Sequence, residues 1–60
     1  MSSDASKSRA ALIASDISNE ALTRREAGQI VTRMVNQREI SKVLAAEIRQ
    51  ELNKFHWILT

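Results

Sequence analysis

His56, taken with Ser41 or with Glu51, makes a fragment of the nucleophile–base–acid arrangement used in acyl transfer. No third orienting group accompanies it, and no loop suited to an oxyanion hole is evident. A lone histidine between Phe55 and Trp57 reads as a packing residue. Metal chemistry fares no better. The chain has no cysteine, which removes thiolate ligands, and a single histidine cannot build an imidazole site within one chain. Gly28 is the only glycine, so no glycine-rich phosphate loop exists. The sequence therefore predicts a protein that is not an enzyme, with no cofactor, no metal and no small-molecule substrate.

The arginines are the next candidates. Arg24, Arg25, Arg33 and Arg38 could contact an acidic partner or phosphates. Arg24 and Arg25 stand where a helix prefers acids, each unfavourable by a few tenths of a kcal/mol against the helix dipole. One reading of them is structural: the preceding helix runs on without a break and Glu20 pairs with Arg24 at i+4. The other is recognition, since Gln29, Thr32, Arg33 and Asn36 share the solvent side of the same segment. Arg, Gln and Asn can read base edges. A helix-turn-helix is nevertheless a poor match, because its tight turn often holds glycine and Asn36-Gln37-Arg38-Glu39 has none. Glu20, Glu26, Glu39, Glu47 and Glu51 are interleaved with the cations in sequence and would repel a nearby phosphate backbone. DNA binding is the alternative reading rather than the first.

These side chains must be carried by helices. There is no proline to join the one glycine, so the turns of a β-rich fold have no suitable residues. Thr23 and Glu26 have capping-box spacing, and Leu22 with Ala27 could form a weak hydrophobic staple. Ala27, Ile30, Val31, Met34 and Val35 then fall on one stripe, which predicts a helix at about 23–36. After a polar break, Ser41 reads as an N-cap. Leu44, Ile48, Leu52, Phe55 and Leu59 form the next stripe and predict a helix at about 41–57. The short connection favours an antiparallel hairpin. Gly28, at the edge of the first stripe, would let the second helix approach closely, at a propensity cost of roughly 1 kcal/mol against Ala. Before Thr23 the pattern weakens. Ala10, Ile13, Ala14, Ile17 and Ala21 can share a face, with Ser3 or Asp4 as cap, giving a helix at about 5–20 and disorder over 1–4.

The second hairpin helix carries a further stripe, Val43, Ala46, Gln50 and Trp57. Either the N-terminal segment covers it, or it is an intermolecular surface with Trp57 as anchor. Phe55, Trp57, Ile58 and Leu59 crowd the last six residues, and exposing them would cost about 25 cal/mol per Å² of apolar area. They are expected to be covered by a second copy or a partner, or to belong inside a longer chain.

Size supports that expectation. Sixty residues form one domain, 1–60, and bury only about 60% of the surface the unfolded chain exposes. Without disulfides or metal, such a chain needs good helix packing or association. The net charge of +2 permits nucleic-acid binding without arguing for it. No apolar run of about 18 residues spans a membrane, and the start lacks the order of a signal peptide; a cytoplasmic location is expected. The sequence thus predicts an all-α, three-helix unit that self-associates. Its expected role is a regulator that binds another protein, such as a transcriptional repressor, through Val43, Leu44, Phe55, Trp57, Ile58 and Leu59. A dimeric DNA-binding regulator using the four arginines is the alternative.

Overall fold

The computed structural model describes the backbone of residues 3–57 and the side chains of residues 7–57. It holds three helices: α1, Ser3–Glu20; α2, Arg24–Asn36; and α3, Lys42–Leu52. Helix α3 packs against both others, and most extensively against α1. The expected all-α, three-helix unit is the fold. Helix α1 starts at Ser3, two residues before the start expected from the sequence; residues 1–2 lie outside the described residues.

The first helix stops because the chain is captured on both sides of Thr23. Ala21 N–H still donates to the Ile17 carbonyl at 2.9 Å, whereas Leu22 N–H turns to Glu26 Oε1 at 2.7 Å. Thr23 is extended and its Oγ1 accepts from Glu26 N–H at 3.1 Å. The reciprocal box forms as the spacing predicts, with Leu22 rather than Thr23 supplying the second amide. The staple does not form. Leu22 is 70% exposed, and Ala21 fills the position against the core instead. A continuous helix with a Glu20–Arg24 pair is thereby excluded: the break is real, and Arg24 bonds elsewhere.

Helix α2 ends in a turn normally made with glycine. Arg38 N–H donates to the Val35 carbonyl and Glu39 N–H to the Met34 carbonyl, both at 2.9 Å. That pair of bonds is the Schellman arrangement, which places the residue between them in the left-handed region. Arg38 occupies it with φ 61°. Ile40 then enters the core, and the Ser41 hydroxyl accepts from Leu44 N–H at 3.1 Å to start α3.

Helix α3 is shorter than the periodicity predicts, ending at Leu52 rather than at about 57. Asn53, Phe55, His56 and Trp57 are all weak helix formers. Lys54 and Phe55 donate to carbonyls three residues back, at 3.0 and 3.2 Å, so the last turn tightens and the chain leaves the helix axis.

The core consists of Ala10, Ala14, Ile17 and Ala21 from α1 and its end, Ala27 and Val31 from α2, Ile40, and Leu44, Ala45, Ile48 and Leu52 from α3. Alanines on α1 let its backbone approach α3 closely, which explains why a segment with small side chains makes the largest helix–helix contact. Ile48, Leu52 and Val31 are the largest fully buried side chains. Each contributes roughly 1.5–3 kcal/mol by burial. Ile30, Met34 and Val35 are half-buried at the margin.

Candidate interaction surfaces

Helices α2 and α3 run antiparallel, and their far ends are tied by one side chain. Arg24, in the first turn of α2, donates from Nε to Asn53 Oδ1 at 2.8 Å and from Nη2 to the Arg49 carbonyl at 3.4 Å. Its cation lies at the C-terminal end of α3, where the helix dipole favours positive charge. The guanidinium passes over Gly28; a Cβ built there would meet Arg24 Nη1 at 3.1 Å and nothing else within 4 Å. The expected close approach of the second helix at Gly28 is therefore not found. The room is taken by Arg24.

A second tie crosses the hairpin nearer its middle. Arg49 Nη2 donates to Thr32 Oγ1 at 2.7 Å, while the same hydroxyl donates to the Gly28 carbonyl at 3.1 Å.

The remaining arginines do not converge. Arg25 is exposed on α2, and Arg38 is exposed in the turn. Arg33 lines a cavity of about 240 Å³ with Glu20, Glu26 and Gln29, so two carboxylates share its surroundings.

The apolar candidates separate as well. Val43 is 73% exposed, and Ala46 and Gln50 on the same stripe are exposed. No other helix covers that stripe: the buried residues of α3, Leu44, Ala45, Ile48 and Leu52, lie on its other side. Leu44 is accordingly a core residue. Phe55 is 38% exposed. Trp57 leaves the stripe on which a continuous helix would place it. It is half-buried against the core, with its indole N–H donating to the Leu52 carbonyl at 2.9 Å and its ring edge-on to Phe55 at 6.3 Å. Ile58 and Leu59 lie outside the described residues. Leu12 on the outer side of α1 and Leu22 in the α1–α2 link, both about 70% exposed, are apolar surface that sequence reasoning missed. Their isolation from the apolar stripes was the available signal.

Among the described residues no three His, Asp or Glu side chains are grouped to hold a metal ion, and no helix is long and apolar enough to cross a membrane. Ser41 is spent as a helix cap and Glu51 pairs with Lys54 at 3.0 Å, leaving His56 with neither as a described hydrogen-bond partner. Comparison with protein-family models, with curated proteins and with solved structures gave no match.

Proposed function

We propose that this is a small non-enzymatic regulatory protein that acts by binding other proteins through apolar surface on α3 and the turn that follows it. It associates with its own copies and occludes a larger protein, a transcriptional repressor being one such class. The observation that carries the reading is Val43, 73% exposed beside exposed Ala46 on a helix whose opposite side already holds the core. A chain with so thin an interior gains from covering such side chains, at about 25 cal/mol per Å² of apolar area. Phe55 extends the contact, and Trp57 holds the Phe55 turn against the body of the protein. Arginines beside the contact steer the encounter and add rim hydrogen bonds.

Quantitative affinity capture with three baits tests this reading: wild type, Val43→Asp/Phe55→Asp, and a Leu12→Asp control. A protein retained by wild type and the control but lost from the double variant is the expected result. A set of captured proteins identical for all three baits would remove α3 from the account.

A further inference from the structure

The seam between α2 and α3 opens to solvent at a groove that, among the described residues, no carboxylate lines. Arg25, Thr32 and Asn36 recur at i, i+7 and i+11 on α2, and Lys42, Arg49 and Asn53 recur at the same spacing along α3. Residues so spaced share one side of a helix. Five of the six are exposed and Arg49 is half-buried. The two rows meet at a groove of about 290 Å³ lined by Thr32, Val35, Asn36, Lys42, Ala45 and Arg49. Asp16 is exposed on α1. Glu20 and Glu26 line the cavity beside Arg33, Glu51 pairs with Lys54, and Glu39 and Glu47 lie outside the groove lining. The modest net charge of +2 thus conceals a local excess: Lys42 and Arg49 line a groove that no carboxylate lines, while Arg33 and Lys54 have carboxylates beside them.

We infer that this face binds the phosphate backbone of a nucleic-acid duplex without reading its sequence, an activity separate from the protein contact proposed above. Arg, Lys and Asn side chains donate hydrogen bonds to phosphate oxygens, while the Thr32 hydroxyl, already donating to the Gly28 carbonyl, serves to position Arg49. Lys42 and Arg49 stand two helical turns apart, about 10 Å along the axis, a span over which a duplex carrying one charge per ~1.7 Å presents several phosphates. The Arg49 fork is pre-oriented by Thr32, which occupies one of its five N–H donors and leaves the others for an anion. An acidic protein fits less well. The core of a protein interface is apolar and rich in aromatics, whereas only half-buried Val35 and buried Ala45 lie at the floor here. Interfaces with nucleic acid are more polar and more positive.

The test is fluorescence anisotropy with a labelled random-sequence DNA duplex at roughly 50 and 200 mM salt. Three phosphate contacts give a log–log salt slope of about −2.7, hence a loss of roughly 40-fold between those concentrations. Arg25→Gln/Lys42→Gln removes two exposed cations with no described partner, so the fold is kept; affinity at low salt falls at least about tenfold and the slope falls to about −0.9. Arg9→Gln/Arg33→Gln removes the same charge away from the face and leaves affinity within about twofold. Circular dichroism confirms that both variants are folded. Absence of binding at low salt, or an equal loss in the control variant, overturns the inference. Labelled polyglutamate bound as tightly as the duplex, and lost in the same variant, overturns it in favour of an acidic protein ligand.

Discussion

Arg24 and Asn53 are joined by a 2.8 Å hydrogen bond that brings the start of α2 onto the end of α3, 29 residues away in the chain. The Arg24 acceptors are an amide oxygen and a backbone carbonyl, not a carboxylate. Arg24→Met, which keeps much of the aliphatic stem, should therefore destabilise the fold by about 1–2 kcal/mol. The loss should persist at high salt, because short contacts to neutral acceptors are screened less than exposed ion pairs. Urea denaturation at low and high salt checks both points; a loss that disappears in salt would mean that Arg24 works through a carboxylate.

Gly28 gives the converse test. Replacing it by Ala recovers up to about 1 kcal/mol of helix propensity. The only atom in the way is Arg24 Nη1, at 3.1 Å, the far end of a flexible side chain that can shift by a few tenths of an ångström. Gly28→Ala should raise the urea midpoint. A lowered midpoint would show that Arg24 cannot move without losing its bonds across the hairpin.

The left-handed backbone at Arg38, with φ 61°, leaves stability unused. A non-glycine residue costs about 1–2 kcal/mol in that region, offset in part by the greater unfolded-state entropy of glycine. Arg38→Gly is expected to stabilise by several tenths to about 1 kcal/mol. Arg38→Val, β-branched and intolerant of positive φ, is expected to destabilise by more than about 1 kcal/mol. Thermal melts of the two variants should bracket wild type; if both fall on the same side, the turn does not have this geometry.

These three positions mark what the sequence could and could not show. Thr23, Glu26 and Ser41 were legible because capping is local and its spacing is fixed by the helix itself. The apolar stripe of α2 and the Leu44–Ile48–Leu52 run were legible for the same reason. The role of Arg24 was not, since its partners lie more than twenty residues away and only the antiparallel packing brings them near. Nor was the Arg38 turn, because the absence of glycine argued against a conformation that the surrounding hydrogen bonds impose anyway. The end of α3 was misjudged by following periodicity through Phe55, although four weak helix formers after Leu52 already argued for a stop. The two polar rows are present in the spacing of Arg25, Thr32 and Asn36 and of Lys42, Arg49 and Asn53. Acids and bases alternate along the chain and come apart only around the circumference of each helix, so the linear order does not display them.

Trp57 closes α3 by donating its indole N–H to the Leu52 carbonyl at 2.9 Å. Trp57→Phe keeps an aromatic ring but removes the donor, and should cost about 1 kcal/mol, a fall of roughly 4–8 °C in Tm for a domain of this size. Circular dichroism reads it without relying on the lost fluorophore. An unchanged Tm would place Trp57 outside the fold, where an anchor for a partner would stand.

The account depends most on the exposed apolar surface of α3 being a contact surface. Sedimentation equilibrium of the full chain from micromolar to submillimolar concentration measures this directly. The expected result is a weight-average mass that rises above 6.8 kDa with concentration and returns to that value in Val43→Asp/Phe55→Asp. A wild-type mass fixed at the monomer value throughout, or an increase that the double variant leaves intact, would contradict it.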